Sequence, residues 1–397
     1  MATLYQFSNN ARKGVILILV LVVAILLVDT YSKFQSSNGV IITNQTRFYS
    51  KPDKALGEIP ALVIKSIATD TSVKPTYSRQ SVHSNNYPDV AYVYAIEKPR
   101  EKLDSFENAQ AIAQSLGFSP NSYTSKGNNT FEWSSSFGTK VLTYNKVSQV
   151  WSLKTAYADN IEAKKIKSIS TDITSYQRNA ISLVSELGFP IQGISEDTID
   201  ARFSKLSFDG SFMALDKVEG SAVDTYVVIN IKRYLRLADL LPESELQVLR
   251  QQKIAIPSAR DAFVYQSDPR DGELRLVVSN NMQDYSKDVF EMSFINFVYT
   301  GSKGVYQLIT PDEAWNNAQS GQGALVSLIP QGYNYFVDYP TAGISKFVAD
   351  ATKTELGYYE PEEWTGFVYP IYIFKGRAEL SDGRQASFTY FVDALKR

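Results

Sequence analysis

Residues 108–118 read NAQAIAQSLGF, and residues 179–189 read NAISLVSELGF. Five positions coincide: the opening Asn-Ala and the closing Leu-Gly-Phe. In the first stretch Ala109, Ile112, Ala113 and Leu116 fall at i, i+3, i+4 and i+7, and Ala180, Leu183, Val184 and Leu187 repeat the spacing. That is the apolar stripe of an amphipathic helix. Gly117 and Gly188 stand where a left-handed residue ends a helix. Phe118 and Phe189 follow where the Schellman motif seeks an apolar contact with the last turn. Asp104 or Ser105 is placed to cap the first helix, with Glu107 completing a capping box.

Similar strand patterns follow each helix. After the first come residues 130–134, 140–144 and 150–157, with Trp151, Leu153, Thr155 and Tyr157 alternating. After the second come residues 198–208, 211–216 and 224–234, with Val227, Ile229 and Ile231 alternating. One apolar helix stripe on one apolar sheet face makes a two-layer core. The fold class expected is therefore α+β: repeated modules of one helix packed on an antiparallel β-meander, behind an N-terminal transmembrane helix. Chance likeness of two helix ends is the competing explanation, because Leu-Gly-Phe is a common stop. The modules are placed at residues 89–160 and 161–255, after a linker and irregular β segment at 32–88, and a C-terminal α+β domain fills 256–397.

Within that last part, TPDEAWNNA at residues 310–318 carries a full start signal: Thr310 as cap, Pro311 in the first turn and Glu313 as the box partner. A connecting helix is expected over residues 240–253. Strands are expected at 262–266, 274–279, 289–299, 344–358, 366–380 and 386–395. Pro370 inside one of them points to an edge or a bulge.

The N-terminal end carries VILILVLVVAILLV at residues 15–28, fourteen apolar residues preceded by Arg12 and Lys13. A cleaved secretory signal has an apolar region of about this length. The absence of an A-x-A-like site and the Leu/Ile/Val richness favour an uncleaved anchor at residues 14–31. Residues 1–13 would then form a short cytoplasmic tail, with the bulk of the chain outside the membrane. The partners expected are the lipid bilayer, through residues 14–31, and another envelope or membrane protein. A net charge of −2 gives no basic surplus for nucleic acid. With 44% hydrophobic and 13% aromatic residues the remainder can fill real cores. No cysteine is present, so disulfides and thiol chemistry are excluded.

Nothing in the sequence names a reaction. G-x-S-x-G, S-x-x-K, H-E-x-x-H, phosphate-loop and dinucleotide motifs are all absent. The one histidine, His83, sits among serines and asparagines. No catalytic residue, metal ligand or cofactor is assigned. The acidic run Glu360, Glu362, Glu363 reads as a solvated loop, although a carboxylate pair of that kind could serve glycoside hydrolysis. The cluster Tyr358, Tyr359, Trp364, Tyr369 and Tyr372 has the chemistry of a partner-binding face. Alternate packing into a sheet accounts for the same residues.

The segments Leu356-Gly357-Tyr358-Tyr359, Tyr369-Pro370-Ile371-Tyr372 and Tyr390-Phe391-Val392-Asp393-Ala394 resemble the closing strands of the YycH/YycI family and, more loosely, PepSY-like modules. Ile371-Tyr372 stands where the family more often has Val-Trp, and residues 375–385 form an insertion. The resemblance implies a non-catalytic, membrane-anchored regulator that binds a sensor kinase. The alternatives are an envelope hydrolase of glycan or peptidoglycan, which requires two close acids in a deep pocket, and a passive structural subunit.

Overall fold

In a computed structural model, the structure describes residues 52–67, 74–79, 87–135, 138–160, 172–191, 194–207, 212–215, 225–235, 262–279, 282–295, 297–336, 343–361 and 363–397, with the single positions 163 and 247. The first strands in chain order are β1 (Thr76–Arg79), β2 (Val90–Ile96), β3 (Tyr123–Lys126), β4 (Thr130–Ser134), β5 (Lys140–Asn145) and β6 (Trp151–Thr155). Next come β7 (Ile199–Leu206), β8 (Phe212–Ala214), β9 (Thr225–Ile231), β10 (Tyr234–Leu235), β11 (Ala262–Tyr265), β12 (Leu274–Val278) and β13 (Val289–Phe294). The last are β14 (Tyr299–Gln307), β15 (Ala324–Pro330), β16 (Ile344–Ala349), β17 (Glu355–Tyr359), β18 (Phe367–Leu380) and β19 (Gln385–Asp393). The α-helices are α1 (Ser105–Ser115), α2 (Ile173–Glu186), α3 (Tyr285–Asp288) and α4 (Pro311–Gln319).

The two repeated segments do form α1 and α2, and they end as the sequence predicts. Phe118 N–H donates to Ala113 C=O at 2.9 Å and Gly117 N–H to Gln114 C=O at 3.0 Å. These are the two bonds of a Schellman motif. Phe189 and Gly188 repeat them on Val184 and Ser185, with both glycines at positive φ. The start of α1 differs from expectation. Asp104 makes no side-chain cap, and the Ser105 hydroxyl instead accepts from Lys102 N–H at 3.1 Å. The box on α4 forms as read: Glu313 N–H to Thr310 Oγ1 at 3.2 Å, and Thr310 N–H to Glu313 Oε2 at 2.7 Å.

The fold class, however, is corrected. Of the described residues 44% are in strands and 17% in helices, so the protein is mostly β. The helix-plus-meander modules do not form separate cores. One nine-stranded antiparallel sheet runs β3-β4-β5-β6-β13-β12-β9-β7-β8. The hairpin β12–β13, from much later in the chain, is inserted between the two meanders, with Leu153 opposite Met292 on one side and Ile229 opposite Leu276 on the other. Both helices lie over one face of this sheet and share a single core that includes Ala113, Trp133, Leu183, Ile229, Leu276 and Met292. The physical reason lies in β9, TYVVINI, which is buried at every position. Such a strand needs neighbours on both edges and cover on both faces, which a small meander cannot supply.

Among the described residues no helix is long and apolar enough to cross a membrane. The single-pass reading is corrected on that ground, together with its extracytoplasmic placement of the chain. The segment 14–31 expected to form the anchor lies outside the described residues, as do His83, Glu362 and all but one position of the helix expected at 240–253.

The second sheet has ten strands and is built around β18. Along one edge of β18 lie β17 and then β16, and along the other β2 and then β19. The parallel pairs β1–β16 and β11–β17 extend it. Pro370 therefore sits inside a central strand, not at an edge or bulge. Its C=O accepts from Ala394 N–H at 3.1 Å. In a strand the N–H and C=O of one residue point the same way. The missing N–H thus faces the gap between β2, which pairs up to Val368, and β19, whose pairing begins at Ile371. Helix α4 covers one face, with Trp315 against Phe374 at 5.0 Å between ring centroids.

Candidate functional site

Four of the five aromatics expected to form a binding face are inside the protein. Tyr358 and Tyr359 end β17, Tyr369 and Tyr372 lie on β18, and all four are buried. Tyr358 Oη donates to Tyr92 C=O at 2.7 Å and Tyr372 Oη to Ile309 C=O at 2.9 Å. Adjacent tyrosines point to opposite faces, and here both faces are covered. Tyr372 joins the Trp315 core, Tyr359 packs with Phe391, and Tyr358 packs with Val264. Trp364 alone is exposed, at 42%. Its indole N–H donates to Ile96 C=O at 3.3 Å, and the Lys98 ammonium stands 5.8 Å from its ring centroid.

Two other exposed apolar residues lie on or beside the segment that Trp364 contacts through Ile96 and Lys98. Glu97 N–H donates to Val298 C=O at 2.7 Å, which lays the segment after β2 beside the exposed Val298. Leu103, at the end of that segment, is fully exposed. A groove of about 380 Å³ begins beside it, lined among others by Ile112, Trp151, Leu187, Phe189 and Val298. Trp364, Val298 and Leu103 thus flank one short connector carrying Lys98, Arg100 and Lys102.

The acidic run also divides. Glu363 is exposed, whereas Glu360 is buried where the two sheets meet. There the Arg233 guanidinium takes Glu273 in a two-pronged pair (Nη2 to Oε1 at 2.6 Å, Nε to Oε2 at 3.2 Å). Its Nη1 reaches the Phe297 C=O at 3.1 Å and Glu360 Oε1 at 3.4 Å. Arg233 sits in the connector between β9 and β10, Glu273 just before β12 and Glu360 just after β17. Burial pushes both carboxyls up to about 7, with Arg233 pulling the other way. For Arg233 burial acts downward, but Glu273, Tyr299 and Glu360 outweigh it and its pKa rises. None of the three residues lines the groove beside Leu103 or either cleft between the sheets.

Of those two clefts, one, of about 630 Å³, is lined by Asp197, Asp200, Lys232, Tyr265, Glu355 and Lys375, among others. Tyr265 Oη donates to Glu355 Oε2 at 3.1 Å, and Lys375 Nζ bonds both Glu355 oxygens at 2.9 and 3.0 Å. Lys232 Nζ donates to the Pro269 C=O, and burial, helped by Lys375, brings its pKa down to about 8. The other cleft, of about 900 Å³, lies between β7–β8 and β15–β19. Its charged lining residues are Arg202 and Arg377, accompanied by Gln331, Tyr333, Tyr335 and Gln385. Among the described residues no group of three or more metal-ligating side chains is present. The Asp268–Gly272 loop is a turn: Asp271 N–H donates to Asp268 C=O at 3.1 Å, and the Asp268 carboxylate clamps Arg270.

No protein-family model matches the chain, and no curated protein matches it. Among solved structures, the chain is similar to the crystal structure of an uncharacterized protein from Eubacterium rectale ATCC 33656. The likeness covers 78% of this chain and 85% of that one, at 10% identity and a TM-score of 0.38. A likeness that distant carries no functional weight.

Sequence reasoning missed Arg202, Arg377, Lys232 and Arg233. Arg202 has its carboxylate partner Asp200 two residues away, but the clusters as a whole are assembled by strand pairing across long separations. A single lysine or arginine among apolar residues, as in INIKRYL at residues 229–235, was the one local trace.

Proposed function

We propose that this chain is a non-catalytic binding protein that regulates another protein through direct contact. The observation that carries the reading is the closed state of its paired acids. Glu273 and Glu360 are the two carboxylates the fold brings onto one guanidinium, and their raised pKa is what a glycosidase acid would need. Yet Arg233 pairs with both, and neither carboxyl lines the groove or the two clefts described above. A catalytic pair needs room for a sugar ring between its carboxyls, and this pair shares one arginine.

The exposed trio Trp364, Val298 and Leu103 supplies the kind of apolar surface that protein contacts use. The resemblance to YycH/YycI regulators, carried by β17, β18 and β19, points in the same direction. The test is site-specific photocrosslinking from position 298 in the full chain, compared with Trp364→Ala and Leu103→Asp. A single adduct that both variants abolish supports the reading. Glycan hydrolysis by the unaltered chain that Glu360→Gln removes would overturn it in favour of a hydrolase.

A further inference from the structure

The 900 Å³ cleft between the two sheets has a charge pattern unlike the 630 Å³ cleft, which is lined by Asp197, Asp200, Lys232, Glu355 and Lys375. The chain as a whole carries a net charge of −2. Among the described residues that line this cleft, two are arginines and none is acidic. Asp200 pairs with Arg202 from behind the lining, and the unpaired Arg377 leaves the cleft wall with a positive excess among the described residues, which draws anions.

Arg202 is anchored at one end, and Arg377 makes no ion pair among the described residues. The Arg202 guanidinium lies flat on the Tyr335 ring, with Cζ 3.7 Å from the centroid. Its Nε is held by the Asp200 carboxylate at 3.2 Å, and neither Nη makes an ion pair among the described residues. Tyr335 is itself fixed at both ends. Its hydroxyl donates to Asp200 Oδ2 at 3.1 Å, and its C=O accepts from Arg270 Nη1 at 2.9 Å. The adjoining Asn334 bridges to the other sheet by donating to Phe212 C=O at 2.8 Å. Arg202 is thereby preorganised, which lowers the entropy lost when its fork takes up an anion.

Arg377 comes from the opposite wall. It is exposed on β18, directly across from Ser387 on β19, and makes no ion pair among the described residues. The carboxylate nearest along its strand, Glu379, lies opposite Lys346 and not in the cleft lining. The remaining polar groups are amides and hydroxyls from Gln331, Gln385, Ser387 and Tyr333, the last 46% exposed. Guanidinium forks match carboxylate and phosphate oxygens, side-chain amides match hydroxyls, and an exposed tyrosine ring matches the C–H face of a sugar. The volume is within the range of small-ligand clefts, roughly 300–1,000 Å³.

We propose that this cleft binds an acidic saccharide, its carboxylate or phosphate ester held between Arg202 and Arg377 and its ring against Tyr333. This function is additional to the protein contact proposed above and does not rest on it. Isothermal titration of the full chain with four probes tests it: a trimer of galacturonic acid, glucose 6-phosphate, neutral maltotriose, and a poly-glutamate peptide. The first two report whether a carboxylate or a phosphate is preferred, and the third removes the charge. The expected result is binding of at least one acidic probe with none of the neutral one, weakened about tenfold or more by Arg377→Ala and abolished by Arg377→Glu. Arg377 is exposed, so neither substitution threatens the fold, and circular dichroism confirms this in the same samples. Equal binding of acidic and neutral probes, no binding of any, or binding indifferent to Arg377→Glu overturns the proposal. Tighter binding of a poly-glutamate peptide than of either acidic sugar also overturns it, in favour of a peptide.

Discussion

Gly117 lies directly against Ser286: a methyl group built on this glycine would come within 2.3 Å of the Ser286 Cβ. Gly188, which closes the matching helix with the same left-handed backbone, has nothing within 4 Å of the equivalent position. The pair separates two costs that usually coincide. Gly188→Ala should lose about 1–2 kcal/mol, the penalty of a left-handed alanine. Gly117→Ala adds to this a collision between the end of α1 and helix α3, so its loss should be clearly larger. Urea denaturation of both variants measures the difference, and equal losses would contradict the tight contact.

The buried ion pair makes stability depend on pH in a defined direction. Glu273 and Glu360 have folded-state values of about 7 against ordinary values of 4.5. Between those limits the folded chain holds more protons than the unfolded one, so stability falls as pH rises through that window. Glu360→Gln removes its share of the slope while Glu273 still holds Arg233. The variant should melt near the unaltered protein at pH 5 and above it at pH 8. A lower melting temperature at pH 8 would show that the ionised Glu360 stabilises the fold.

Lys232 works in the opposite direction. Its folded value of about 8 lies below the ordinary 10.5, so the folded chain holds fewer protons between the two. Its contribution therefore grows as pH rises from about 8 to 10.5. Melting curves at pH 7.5 and 10 should show this gain in the unaltered chain and its absence in Lys232→Met.

Core and surface aromatics should part company on substitution. Tyr372→Phe and Tyr358→Phe each strip a part-buried carbonyl, Ile309 or Tyr92, of its hydroxyl donor, at a cost of about 0.5–1.5 kcal/mol. Trp364→Ala removes a half-exposed ring and should change stability little while abolishing the crosslink from position 298. Chemical denaturation of the three variants side by side makes the comparison.

The local parts of this fold were legible because their causes are local. Leu-Gly-Phe ends α1 and α2 through bonds spanning a few residues, and Thr310 with Glu313 starts α4 in the same way. The assembly was not legible, because Leu153 finds Met292 and Ile229 finds Leu276 across long stretches of chain. One clue was present: TYVVINI places apolar residues at both odd and even positions (Tyr226, Val227, Val228, Ile229), which marks a strand covered on both sides more than a half-exposed meander. The same effect misdirects the tyrosines. Alternation separates core from surface only when one face of a sheet meets water, and Tyr358 and Tyr359 are both buried because neither face does. Glu360 looked solvated within an acidic run because its partner Arg233 stands 127 positions away.

The late hairpin at the centre of the nine-stranded sheet also sets a timetable for synthesis. While the chain emerges from the ribosome, β6 and β9 are complete long before β12 and β13 exist to join them. Until Val278 has been made β9 presents a bare edge, with apolar side chains on both faces, and until Phe294 has been made β6 does too. Exposed strand edges of that kind pair with whatever strand is at hand. The nascent chain is thus most vulnerable to aggregation in a window of translation that closes abruptly. A stop codon introduced just before Leu274 would yield a fragment containing both helices and both meanders, and still nothing to hold them together.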